Sequence, residues 1–198
     1  MILWTIQSID AWKILQESGT LCCDRRLSDY DFTEAYKWMA EQMHKRLPFQ
    51  QNVGAFPLWA WYQWGGERRE RPDLRSTGHL SHGEEGVRIE FVLTDDLVLL
   101  SDFELWHYVL NYWYLPVSVA DGEVFEVELA QRGLSFYETK PLTDVLYHNR
   151  IQKSWERIFD IDWVEKDLTA PKSEKSIQAT FWELPMDSVR RVDKFIAK

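Results

Sequence analysis

The sequence predicts one α/β domain over residues 1–198, a mixed sheet flanked by helices and closed around an aromatic-rich core. Short β-prone runs alternate along the chain with apolar stripes at spacings of three and four. A length of 198 residues fits one domain and suffices to bury a substantial core. The 11 Trp, in a composition that is 15% aromatic, call for large rings in that core.

Each element has its own justification. Residues 2–6 are short and apolar and read as a strand. Ser8 is a good N-cap for a helix through Trp12 and Leu15, since its hydroxyl can accept from a free amide of the first turn. Gly19 is placed to end that helix in the left-handed conformation. Phe32, Ala35, Tyr36, Met39 and Met43 form an amphipathic stripe over residues 31–47, and Pro48 with the polar run 50–54 marks a loop. Residues 58–64 read as a strand stopped by Gly65-Gly66. On it Trp59, Trp61 and Gln63 share one face, with Tyr62 and Trp64 on the other. The Gly- and Arg-rich stretch 67–86 is a long loop, of the kind that is usually functional.

Residues 87–93 predict a strand on which Arg88 and Glu90 share a face. Asp95-Asp96 turns the chain, and residues 98–100 form another short strand. Ser101 with Glu104 has the spacing of a capping box and opens a helix that ends before Pro116. Ser118 starts a further helix that Gly133 stops, although residues 124–129 also pass as a strand. Tyr147, Ile151, Trp155, Ile158 and Phe159 follow a helical stripe, and residues 166–175 form a charged loop. Residues 177–184 alternate like a strand. Val189, Val192, Phe195 and Ile196 predict a short closing helix.

Composition excludes several function classes. A net charge of −9 argues against non-specific nucleic-acid binding over the whole surface, though not against a local basic patch. No stretch approaches the roughly 20 apolar residues of a membrane span. The start, Met1-Ile-Leu-Trp-Thr-Ile, lacks the basic and long apolar regions of a signal peptide. Cys22 and Cys23 are adjacent, a poor arrangement for an intrachain disulfide. The expected compartment is the cytoplasm. There is no Gly-x-Gly-x-x-Gly, no Walker-type loop and no Gly-x-Ser-x-Gly, which disfavours dinucleotide-binding dehydrogenases, P-loop NTPases and serine hydrolases.

Candidate site residues gather where rings meet charge. The string Phe56-Pro-Leu-Trp-Ala-Trp-Tyr-Gln-Trp64 is followed by Arg68, Arg69, Arg71 and Arg75. A guanidinium offers parallel donors to phosphate or carboxylate. The alternative is a solvated loop neutralised by Glu67, Glu70 and Asp73. Arg75 is the best single candidate, since Pro72 stiffens the chain before it. Arg88 and Glu90 are either a pair facing a cleft or the solvent face of an edge strand. Trp64 is the indole best placed to stack on a ligand ring, and Gln63 could fix a polar edge. Trp59 and Trp61 suit the core better. His79 and His82 sit in a flexible context that does not suggest a metal site. His107 is a candidate general base near neutral pH, against the commoner histidine bonded to a backbone carbonyl.

Leu3-Trp-Thr-Ile-Gln7, Trp59-Ala-Trp-Tyr-Gln-Trp64, Pro72-Asp-Leu-Arg75, Leu100-Ser-Asp-Phe-Glu-Leu-Trp-His107 and Ser154-Trp-Glu-Arg-Ile-Phe159 resemble the bacterial domain-of-unknown-function family 3841. The resemblance covers nearly the whole chain and implies a cytoplasmic bacterial domain. Trp4-Thr5, the Trp12 helix and Gly19-Thr-Leu21 are similar in order to compact NAD-using ADP-ribosyltransferases. Those enzymes place a catalytic Glu on a late strand; Gln178-Ala-Thr180 has Thr where it is expected, and Glu183 follows three residues later. That analogy implies Thr5 and Gln178 near a ligand, NAD as the cofactor, and Glu183 or His107 in acid–base roles.

Two functions follow as expectations. One is a nucleotide- or NAD-type ligand bound in a pocket where Thr5, Arg75 and Gln178 converge. The other is a non-enzymatic module that docks a protein partner through an aromatic and Arg patch, since Trp, Tyr and Arg are enriched at binding hot spots.

Overall fold

The computed structural model describes residues 1–23, 32–48, 55–68 and 71–198. Asp31, the run 50–54 and Arg69 lie outside the described residues. The chain forms two compact units, one of Met1–Leu100 with Ser176–Lys198, the other of Ser101–Lys175.

The first unit is a mostly antiparallel sheet with helices. Its elements are β1 (Ile2–Ser8), α1 (Ile9–Ser18), β2 (Thr20–Cys22), α2 (Thr33–Arg46), β3 (Leu58–Gln63), β4 (Glu85–Val92), β5 (Leu99–Asp102), β6 (Ile177–Phe181), β7 (Glu183–Pro185) and β8 (Val189–Ile196). Six strands lie in the order β5-β6-β3-β1-β4-β8, and β2 and β7 make a separate antiparallel pair. β1 runs antiparallel to both β3 and β4, β3 to β6, and β4 to β8. Local chemistry sets the ends of α1 as the sequence predicts. Ser8 Oγ accepts from the Ala11 amide at 3.2 Å. Gly19, at φ 77°, donates its amide to the Leu15 carbonyl.

Alternation divides the sheet into two faces. Leu3, Val87, Ile89, Phe91, Ala60 and Phe181 pack with Trp12 and Leu15 of α1 into one apolar cluster. Thr5 sits on this face opposite Ile89 and is 1% exposed. The opposite face carries Trp4, Arg88 and Glu90, with Trp4 directly across from Glu90. Met39 of α2 lies against Thr180 of β6.

Two bulges account for where the sequence reading and the structure part. Residues 189–196 form an edge strand, not a helix. The register of β4 and β8 slips between Glu90 and Phe91, so Val189 and Val192, three apart, both pack on the core cluster. A spacing of three on a bulged strand imitates a helix. In β3 the register slips between Trp61 and Gln63. Gln63 therefore pairs with Ile177 on the core face, and Trp64 returns to the side of Trp61, whose ring it meets edge-on at 4.5 Å. The faces expected for Gln63 and Trp64 are thus exchanged.

The second unit is helical: α3 (Phe103–Leu110), α4 (Val119–Gln131) and α5 (Val145–Trp155). Each has a side-chain cap. Asp102, not Ser101, caps α3, accepting from the Glu104 and Leu105 amides, because the strand before it runs to Asp102, two residues further than expected. Ser118 caps α4 and Asp144 caps α5. Residues 124–129 are helical, and Gly133 follows with φ 66°. Leu105, Leu115, Phe125, Ile151 and Ile158 are fully or almost fully buried. Beside them lies a buried ion pair, Lys175 Nζ to Asp102 Oδ2 at 3.0 Å, to which Thr169 Oγ1 also donates. Among the described residues no helix is long and apolar enough to cross a membrane.

Candidate functional site

The polar face of the first unit's sheet opens into a cleft of about 760 Å³ lined by Trp4, Arg71, Asp73, Arg75, Arg88 and Glu90. Strand pairing builds its floor. β1 presents Trp4 and β4 presents Arg88 and Glu90 on the same side, and the indole Nε1 donates to Glu90 Oε2 at 3.0 Å. The loop after β3 builds the wall with Arg71 to Arg75.

The three guanidinium groups differ in freedom. Arg88 is buried and rigid: Nη1 donates to the Pro72 carbonyl and Nη2 to Asp193 Oδ2, both at 2.6 Å. It thereby ties the loop to the sheet. Arg75 is exposed and forks onto Asp73, with Nε and Nη2 donating at 2.8–3.1 Å. These bonds hold the Asp73 carboxyl down at about 2. Asp193 is also held below the ordinary carboxylate range, chiefly by its bond from Arg88. Arg71 has the loosest counter-ion, with Nη1 3.8 Å from Asp193 Oδ2. A donor fork so weakly engaged is the one best able to take an anionic group.

The structure brings Arg75 and Arg88 together on this cleft and leaves the other expected residues elsewhere. Thr5 is buried on the opposite face, its hydroxyl donating to the Trp59 carbonyl at 2.8 Å and accepting from Gln7. Gln178 sits on β6 opposite Trp61. Thr5, Arg75 and Gln178 therefore do not converge: the parity of β1 that turns Trp4 into the cleft turns Thr5 away from it. Trp64 packs between Trp61 and His79, and Gln63 is buried. His79 Nε2 is 2.8 Å from the Asp73 carbonyl and steadies the cleft wall. Glu183, opposite Cys22 on β7, lines a different cavity of about 220 Å³ with Leu47, Leu93, Phe181 and Trp182. His107, in the second unit, has Nδ1 3.1 Å from the Phe103 carbonyl of its own helix and packs edge-on against Phe103.

Sequence reasoning missed Trp4 and Asp193 as parts of this site. Trp4 is the third residue of an apolar strand, and its pairing with Glu90 is what marks it. Asp193 was hidden by the helical reading of residues 189–196.

The family model of a domain of unknown function (DUF3841) matches residues 2–190. The chain belongs to this family. The match takes in all of the cleft's lining and stops short of Asp193, at the base of Arg88. No curated protein and no solved structure matches the chain.

Proposed function

We propose that the cleft of the first unit binds a small ligand that carries an anionic group and a flat ring, of nucleotide or NAD type. The observation that supports this is the meeting of the Trp4 indole with Arg71 and Arg75 in one concavity of ligand size. Arg71 receives the anionic group, and Arg75 joins it by sharing its fork with Asp73. Trp4 gives a ring an apolar flank, and Glu90 accepts from a ligand hydroxyl or amine. Arg88 positions the wall and does not touch the ligand. The reading is of binding. Neither His107 nor Glu183 lines this cleft, so no acid–base step is assigned to them.

The test is a thermal-shift screen with NAD, ADP-ribose, ATP and GTP on the wild type, Arg71→Ala and Arg75→Ala. A ligand at a hundred times its dissociation constant adds about 2.7 kcal/mol. That is a rise of a few degrees for a chain of this size. The rise is expected in the wild type and lost in Arg71→Ala. No shift with any of the four compounds would remove the nucleotide reading.

A second reading, a module that docks a protein partner, is favoured by α4. Ala120, Val124 and Val127 are exposed at spacings of four and three along this helix. Such a stripe normally covers another apolar surface.

A further inference from the structure

A second concavity, of about 420 Å³, lies in the helical unit and is independent of the cleft above. Tyr114, Asn149, Arg150, Lys153 and Arg157 supply its polar lining. Positions 146, 150, 153 and 157 recur at spacings of four, three and four, so one face of α5 and the turn after it carries all three cations. No carboxylate is among the residues that line it. In a chain with a net charge of −9, three cations around one hollow call for an explanation.

Two of the three are held in place. The Arg150 guanidinium lies over the Phe125 and Tyr147 rings, at 5.0 and 5.3 Å from their centroids, and is paired with Glu128. Arg157 donates to the Leu115 and Ser154 carbonyls and lies 5.7 Å from the Trp163 ring centroid. Lys153 by contrast is 76% exposed and bonds to Glu156 one turn on. Ser154 is already satisfied by the Leu115 amide and the Ile151 carbonyl, so it is structural. Fixed guanidinium groups lose little freedom when an anion arrives, and a flexible ammonium can close over it.

We propose that this face of α5 binds an oligophosphate chain. Spacing selects the ligand. At about 1.5 Å of rise per residue, Arg150 and Arg157 lie roughly 10 Å apart along the helix, with Lys153 between them. A single phosphate meets one or two of these cations, whereas a chain of two or three phosphates reaches along the row. Glu128 and Glu156 already pair with Arg150 and Lys153, so a ligand has to carry several negative charges to compete for them, which a single phosphate does not.

The experiment is calorimetric titration of the full chain with sodium phosphate, pyrophosphate and tripolyphosphate at low salt. It is run on the wild type, Lys153→Glu, Arg71→Ala and the double variant. Lys153 is exposed, so its replacement leaves the fold intact, which circular dichroism checks. The expected order of affinity is tripolyphosphate over pyrophosphate over phosphate. Lys153→Glu is expected to weaken tripolyphosphate about tenfold or more, since it replaces an attraction with a repulsion in the middle of the row. The weakening by Lys153→Glu is expected to persist in the Arg71→Ala background, which separates this site from the cleft of the first unit. An ATP titration in Arg71→Ala, compared with tripolyphosphate, tells a nucleoside triphosphate from an inorganic chain as the source of the phosphates. Equal affinity in wild type and Lys153→Glu, or loss only in Arg71→Ala, overturns the proposal, as does the absence of binding.

Discussion

Arg75 and Asp73 stand at the exposed lip of the cleft, and the chemistry of that pair is open to direct measurement. Asp73 receives the forked side chain of Arg75 and also its backbone amide, so its folded carboxyl titrates at about 2. In the unfolded chain an aspartate titrates at about 3.9. The folded value is the lower one, so the pair favours the folded state above about pH 4 and loses that contribution as pH falls towards 2. Carbonyl chemical shifts followed by NMR should give Asp73 a midpoint near 2 in the wild type and one in the ordinary aspartate range in Arg75→Ala. An unchanged midpoint would mean that the fork does not persist in solution. At this scale the sequence was partly legible. Arg75 stands out as a guanidinium that follows an indole-rich strand and Pro72, and Arg88 because it shares a strand face with Glu90. Their different duties were not legible, because the partner of Arg88 comes from Asp193, 105 positions away.

Elements were read best where a local rule decides them. Ser8 and Ser118 cap their helices, and Gly19 and Gly133 follow helix ends with positive φ, because these depend on a few neighbouring atoms. Strand faces after a bulge were misread, since an extra residue depends on what the partner strand needs. Two glycines test how far local propensity decides stability. A Cβ at Gly86 of β4 would meet the Phe195 ring across the strand pair at 2.8 Å and clash with Leu80. Gly86→Ala should therefore cost roughly 1–3 kcal/mol through overpacking. Gly122 lies within α4, and a Cβ there meets only Pro116 at an ordinary 3.4 Å. Gly122→Ala should gain up to about 1 kcal/mol from helix propensity. Urea midpoints of the two variants should move in opposite directions. Movement in the same direction would mean that packing does not separate these positions.

For the whole chain, charge decides which anions it can attract. Asp and Glu number 32 against 23 Lys and Arg, so the long-range field repels a polyanion. The cations that matter are local and closely matched: Arg75 by Asp73, Arg88 by Asp193, Arg150 by Glu128 and Lys153 by Glu156. At physiological salt the screening length is about 8 Å, so each patch acts on a ligand seated in it and hardly beyond. A nucleic acid needs a continuous basic track, from which it releases one counterion for each phosphate neutralised. The chain should therefore take up short anions while ignoring long ones. Fluorescence anisotropy of a labelled single-stranded 20-mer RNA should stay flat at about 0.15 M salt, up to protein concentrations near 10⁻⁴ M, the weak end of ordinary non-specific binding. Binding that weakened steeply with added salt would show that separate patches act as one surface, and the α5 row would then be part of a nucleic-acid track. A flat response beside tripolyphosphate binding would instead mean that the carboxylates confine each patch to a ligand that fits inside it.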